Sequence, residues 1–208
     1  MEHETTRSNH PAQSIVISTL ASLEPSAMRE AARVFVEGFY THLRMFSRDK
    51  DALIQAFQHA LVPEQFFVAM LDGHIVGISA FSTNRKRSIR TDKLSLQRAF
   101  GRFRGWLCYT FLSQELERPL AISDHQCYIE SVATAPEARG RGIAYSLQTH
   151  ILEALPYTEF ILEVLDTNET AIRLYERLGY RVFDKRKQRL FRKQAGFNER
   201  WYMKLSRV

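Results

Sequence analysis

The chain has 208 residues, 45% of them hydrophobic, enough to build a core in one soluble domain. Lysine and arginine outnumber aspartate and glutamate by 29 to 23, and this formal charge of +6 suits a phosphate-rich partner. No zinc-finger spacing and no repeat of interleaved aromatic and basic residues points to nucleic acid, Cys108 and Cys127 are too few for a disulfide scaffold or a metal site, and no run reaches about 18 apolar residues, the span of a membrane helix.

Met1 to Gln13 is polar and lacks the apolar core of a secretory signal, so the reading is a flexible tail over 1–12, a folded domain over 13–208 and a cytoplasmic location. Ser14 to Ser18 can open the fold as a strand. Pro25-Ser26 marks a helix start, and Val34, Phe35, Gly38 and Phe39 share one face of a first helix ending near Leu43. A second helix is expected from Asp51 to Leu61. Gln65 to Leu71 and His74 to Phe81 are rich in β-formers, and the Asp72-Gly73 pair between them predicts a hairpin of adjacent antiparallel strands. Thr91 to Glu117, carrying Leu94, Leu96, Phe100, Phe103, Trp106, Leu107, Phe111 and Leu112, reads as one or two helices.

Tyr128 to Thr134 reads as a strand, and Leu147, Ile151 and Leu155 share one face of a helix over Ala144 to Leu155. Arg139-Gly140-Arg141-Gly142-Ile143-Ala144 therefore sits at a strand-to-helix turn. Gly140 and Gly142 open backbone conformations closed to other residues, and the unpartnered first N–H groups of the helix suit a phosphate, with Arg139 and Arg141 adding positive charge. These six residues alone fit a solvated turn equally well. Their spacing is neither a lysine-bearing phosphate loop nor the three-glycine dinucleotide fingerprint.

Phe160 to Leu165 reads as a further strand. In the helix after it, Ala171, Leu174, Tyr175 and Leu178 fall at i, i+3, i+4 and i+7, which puts Tyr175 on the packed side, and Gly179 is a natural stop. Strands near Tyr180 to Phe183 and Trp201 to Leu205 close the chain, and the basic run Lys185 to Arg189 reads as a solvated strand edge or loop. Alternating strands and helices argue for an α/β (α+β) domain with a mixed central sheet of about six to seven strands flanked by helices.

Arg139, Gly142 and Ala144 resemble the Arg/Gln-x-x-Gly-x-Gly/Ala motif of the GNAT superfamily of N-acetyltransferases. Asn168, Ala171, Leu174, Tyr175, Gly179 and Tyr180 are similar to the same family's Asn-x-x-Ala-x-x-Leu-Tyr-x-x-x-Gly-Tyr/Phe signature, in the same order along the chain. The two motifs lie within about residues 126–183, and against the family's usual plan the stretch 91–117 looks like a helical insertion. The resemblance implies the GNAT fold and acetyl-CoA as co-substrate, held between two splayed parallel strands, here Tyr128–Thr134 and Phe160–Leu165, with no metal. It also implies that Val132, Ala133 and Thr134 pair with the pantetheine arm and that Arg139, Gly140, Arg141, Gly142, Ile143 and Ala144 cradle the pyrophosphate.

Tyr175 matches the family position that hydrogen-bonds the sulfur and protonates it on departure, against the alternative of a core tyrosine. Asn168 matches a pantetheine-contacting position or is a plain helix cap. Glu130, two residues before Val132 and expected on its side of the strand, is the general-base candidate, or else a salt-bridged surface glutamate. His125, with Asp124 beside it just before the strand, is a weaker choice, and deprotonation through a water chain stays open. Phe103, Trp106 and Tyr109 line an acceptor pocket, pack the helices or make a dimer contact, and a membrane contact by this segment, with Arg98, Arg102 and Arg104 close by, ranks below packing. The acceptor implied is a small-molecule amine or a protein amino group, with no nucleic acid and no membrane insertion; a homodimer stays open. Two alternatives stand beside an N-acetyltransferase, namely a non-catalytic acyl-CoA-binding module and an enzyme using a longer acyl-CoA.

Overall fold

The computed structural model describes residues 14–188 and 196–207. The tail expected over 1–12 and Arg189 of the basic run lie outside the described residues. Strand β1 (Val16–Thr19) leads into helix α1 (Ala27–Leu43) and helix α2 (Lys50–Phe57), and then into the hairpin of β2 (Phe66–Leu71) and β3 (His74–Ser82). Helices α3 (Lys93–Phe100) and α4 (Arg102–Leu116) follow, then β4 (Gln126–Thr134), α5 (Ile143–Ala154), β5 (Glu159–Leu165), α6 (Glu169–Arg177), β6 (Arg181–Lys187) and β7 (Glu199–Ser206). The seven strands form one mixed sheet in the order β1-β2-β3-β4-β5-β7-β6, in which β4 and β5 are the parallel pair.

Local chemistry accounts for most boundaries. Asp72 (φ 50°) and Gly73 (φ 81°) turn the β2–β3 hairpin with two positive φ angles, the conformation an Asp-Gly pair favours. Asp49 caps α2, its Oδ1 accepting from the N–H groups of Asp51 (2.9 Å) and Ala52 (3.2 Å). The second helix stops at Phe57, short of the expected Leu61, because Ala60 and Leu61 turn back onto the Phe57 carbonyl and Leu61 then bridges to Ile89. Between β3 and β4 there are two helices, broken at Gly101 (φ 86°). The β6 strand runs on through Lys187, so Lys185 to Lys187 lie on the edge strand of the sheet.

Two close approaches fix which helix covers which face. A Cβ on Gly38 of α1 would stand 2.6 Å from the Ala133 Cβ, and one on Gly77 of β3 would stand 2.4 Å from Ile143 Cγ2 of α5. Because Gly77 and Ile78 point to opposite sides, α1 and α5 lie on opposite faces of the sheet. The buried Gln148 of α5 donates from Nε2 to Ser79 Oγ at 2.8 Å, on the Gly77 side. Helix α6 runs beside α5, where the Arg177 guanidinium sits 4.5 Å from the centre of the Tyr145 ring.

The core fills both sides. Phe57, Phe66, Phe160, Leu53, Ile75, Ile78 and Leu147 are among its fully buried side chains.

Candidate active site

Three features of the backbone meet where β4 leaves β5. The parallel ladder pairs Gln126 with Glu159 through Ile129 with Leu162 and then ends, so the edge of β4 from Glu130 to Thr134 has no partner on β5. Ser131 takes φ 55°, a left-handed conformation rare for a side-chain-bearing residue, and β4 carries an extra residue there, since Ala133 lies opposite Ile78 and Glu130 opposite Ala80. Gly142 (φ 78°, ψ 5°) stands at the N-cap of α5 and no side chain caps that end. The N–H groups of Ile143, Ala144 and Tyr145 in the first turn therefore point past the glycine with no cap in place. Gly140 (φ 77°) also needs its positive φ, and a Cβ at either glycine would meet nothing within 4 Å.

The bulge corrects one expectation. Ile78 and Ala80 share a face, so their partners Ala133 and Glu130 share it too, and Val132 turns to the other side. Glu130 and Val132 therefore do not face the same way, although they are two residues apart. Glu130 is also heavily engaged. Its carboxylate accepts from Ser82 Oγ, from Ser88 Oγ at 2.6 Å and from Arg87 Nη2 at 3.2 Å. Arg87 in turn donates from Nη1 to the Arg118 carbonyl at 2.6 Å, which ties β4 to the end of α4.

The first β5 residue past the ladder is Glu163, a carboxylate that composition and motifs did not single out. Parallel partners share a face, so Glu163 lies on the side of Tyr128, Ile161 and Glu130. Arg200 Nη1 donates to its Oε1 at 2.6 Å, and Tyr202 stands opposite it on β7. Burial pushes the Tyr128 phenol well above its ordinary value, and the negative charges of Glu163 and Glu130 add to the push. Tyr202 is raised by burial and then by Glu163. Two glutamates and two protonated phenols thus surround the mouth of the splay on the α1 face. The signal for Glu163 was a lone acid inside the otherwise apolar run Phe160 to Leu165, as expected only where a buried strand has a polar task.

Tyr175 lies across the sheet on the α5 side. It is 6% exposed, packs edge-on to Tyr180 with ring centres 5.7 Å apart, and burial raises its phenol far above the ordinary range. The hydroxyl of the neighbouring Tyr180 is buried with no hydrogen-bond partner among the described residues. Asn168 is the N-cap of α6, with Oδ1 accepting from the Ala171 N–H at 3.2 Å. Arg139, Gly140, Arg141 and Gly142 are exposed, and Arg139 Nε donates to the Thr134 carbonyl at 3.4 Å, linking the turn to the end of β4.

Asp124 and His125 stand apart from this arrangement. Asp124 accepts from Asn84 Nδ2 (2.7 Å) and Arg85 Nη2 (3.0 Å), and these contacts lower its pKa. His125 is exposed just before β4, five residues from Glu130 and so on the order of 16 Å along the strand. A pocket of about 400 Å³ lined by Tyr145, Thr149, Arg177 and Arg207, among others, is the seam between α5 and α6 rather than the mouth of the splay.

An uncapped helix N-terminus beside an open strand edge can take an anion at one end and a peptide-like arm along the other. The pantetheine arm of coenzyme A carries amides and its pyrophosphate carries charge, so these residues fit that molecule.

Comparison with known proteins agrees. The model of the Acetyltransferase (GNAT) family matches residues 27–180. No curated protein matches in sequence. Among solved structures, an N-acetyltransferase from Staphylococcus aureus Mu50 superposes with a TM-score of 0.59 at 18% identity, over 91% of this chain and 100% of that one. The ribosomal-protein-S18-alanine N-acetyltransferase of Escherichia coli gives 0.55 at 15% identity, over 93% and 94% of the two chains. The structure of yncA from Salmonella typhimurium with its cofactor acetyl-CoA gives 0.54 at 13% identity, over 92% and 93%. At these identities the likeness speaks for the fold.

Proposed function

The chain belongs to the GNAT family of acetyltransferases, and on that premise we propose that it moves an acetyl group from acetyl-CoA directly to a primary amine. The observation that carries this reading is the uncapped N-terminus of α5 at Gly142 beside the unpaired β4 edge from Glu130 to Thr134. In this reading the N–H groups of Ile143 and Ala144, with Arg139, Gly140, Arg141 and Gly142, hold the pyrophosphate, and the backbone of Val132, Ala133 and Thr134 lies along the pantetheine arm. Acetyl-CoA supplies the thioester that is attacked.

The chain's own groups divide the proton work across the sheet. On the α1 face a carboxylate at the splay accepts the proton that the acceptor nitrogen loses as its bond to the acetyl carbon forms. Glu163 fits that task better than Glu130, whose oxygens already hold two hydroxyls and a guanidinium. Glu130 then keeps the mouth in shape through Arg87. On the α5 side the Tyr175 phenol, kept protonated by its burial, gives its proton to the sulfur as the carbon–sulfur bond breaks. Asn168 holds the start of α6 and with it the placing of Tyr175.

The acceptor is a small-molecule amine or a protein amino group. The test is a panel of both, incubated with acetyl-CoA and followed by release of the CoA thiol and by the mass of the acetylated product. Release with a 42 Da gain on one acceptor is expected (about 42 Da being an acetyl group replacing a hydrogen). Well-folded protein that acetylates no member of the panel and releases no thiol sinks the proposal.

A further inference from the structure

Helix α4 is apolar on two opposite sides. Its inner side, Gly105, Cys108 and Leu112, is buried, and the contact there is so close that a Cβ on Gly105 would stand 2.4 Å from the Leu96 carbonyl oxygen and the Gln97 Cα of α3. Its outer side carries Phe103 (73% exposed), Trp106 (44%), Leu107 (46%) and Phe111 (50%) at i, i+3, i+4 and i+8, one continuous stripe. A surface helix normally turns its charged side outward, so the outer stripe lacks the covering that its composition demands. The patch extends beyond the helix: the Phe111 ring lies 5.9 Å from that of Phe46, and the preceding residue Met45 is 66% exposed.

The surrounding charge decides what can cover it. At about 100° per residue Arg102 and Arg104 fall on the two flanks of the stripe, and Arg44 precedes Met45. All three are exposed and make no ion pair among the described residues. The one acid of α4, Glu115, lies beyond Phe111 toward the far end. A second copy seated symmetrically on this stripe would bring two sets of arginines into one rim with little acid to meet them. An anionic bilayer answers both demands. Its headgroups take the arginines, and aromatic and leucine side chains enter the boundary between headgroup and acyl chain.

We propose that the outer stripe of α4, with Met45 beside it, docks the protein peripherally on an anionic lipid surface. No described helix is long and apolar enough to cross a membrane, so the contact is one of lying on the bilayer.

The full chain is floated with vesicles of phosphatidylcholine alone or with about one-third phosphatidylglycerol, where each basic residue near the surface adds to the attraction. Binding to the anionic vesicles is expected, at least several-fold weaker on the neutral ones and reduced by 0.5 M salt (about a 4 Å screening length). Phe103→Ser/Trp106→Ser should lose at least tenfold in binding to the anionic vesicles, with its thermal midpoint checked against the parent. Arg102→Gln/Arg104→Gln should lose the preference for anionic lipid and serves if the first variant folds poorly. Absence of binding to either vesicle overturns the proposal, as does undiminished binding by both variants. A concentration-dependent dimer that Phe103→Ser/Trp106→Ser abolishes also overturns it, by assigning the stripe to a second copy.

Discussion

Substituting Gly77 by alanine should move the anion cradle from underneath. The added Cβ would stand 2.4 Å from Ile143 Cγ2 and 3.1 Å from Leu147 Cδ1, about 1 Å inside the 3.4 Å at which ordinary contact begins for the nearer atom. Ile143 is 2% exposed and β-branched in a helix, where one χ1 rotamer dominates, so it cannot rotate away. The strain passes to the first turn of α5, whose N–H groups are the proposed pyrophosphate site. Overpacking of this kind costs about 1–3 kcal/mol, and for a chain of this size about 2 kcal/mol lowers the thermal midpoint by roughly 4–8 °C. Differential scanning fluorimetry of the ligand-free protein reads the first effect and calorimetric titration of acetyl-CoA the second, where at least a several-fold weaker Kd is expected. Asp92→Ala is the control: it removes the cap that accepts from the Ser95 N–H at 2.7 Å, costs about 1 kcal/mol, and lies on α3 away from α5, so affinity should hold. A Gly77→Ala protein with a lowered midpoint but unchanged affinity would refute the link between this contact and the cradle. An unchanged midpoint would refute the packing argument itself.

Tyr175→Phe should lower kcat by about a hundredfold or more while leaving acetyl-CoA affinity near the parent's; because burial raises this phenol, no alkaline limb in the rate below about pH 10 should vanish with it. Glu163→Gln should cut kcat by about a hundredfold with little change in stability, whereas Glu130→Gln leaves the half-buried Arg87 without its carboxylate and should cost about 2 kcal/mol in urea unfolding. The reverse pattern, with Glu130→Gln alone inactive and stable, would return the base role to Glu130. Glu159 has its carboxyl held below the ordinary 4.5, first by Gln126 and then by Lys204 and Ser206 against the opposing effect of burial. A depressed carboxyl contributes stability above the unfolded-state value and loses it as pH falls through the lower folded one, so Glu159→Gln should show less acid destabilisation between pH 5 and 3, about the range of carboxylate titration. Cys108 and Cys127 are both buried and their thiols are raised, Cys127 to about 12, so native protein should give no fast reaction with a disulfide reagent and two equivalents once unfolded. That silence also keeps the CoA-thiol assay free of background.

The order of strands and helices was legible because each element has its own period and punctuation: Asp72-Gly73 for the hairpin, Gly142 before α5, Gly179 after α6. The turn at Gly140 and Gly142 and the Tyr175 helix were legible for the same reason, since both are local in sequence. What failed to show is non-local. The extra residue at Ser131 carries no glycine or proline to announce it, and it reverses which neighbour of Glu130 shares its face. The role proposed for Glu163 depends on where the β4–β5 ladder ends, a fact set by partners more than thirty positions apart. For the outer stripe of α4 the sequence ranked packing above a membrane contact, because a helix apolar on both sides reads as one that is buried on both.

The open edge of β4 and the uncapped end of α5 together form the proposed acetyl-CoA site. Titration of acetyl-CoA into the ligand-free full chain by isothermal calorimetry tests it most directly. Saturable binding at one site per chain is expected, with a Kd in the range of about 1 μM to 1 mM, weakened by Gly77→Ala and indifferent to Asp92→Ala. Protein of native circular dichroism and cooperative unfolding that takes up no acetyl-CoA would contradict it.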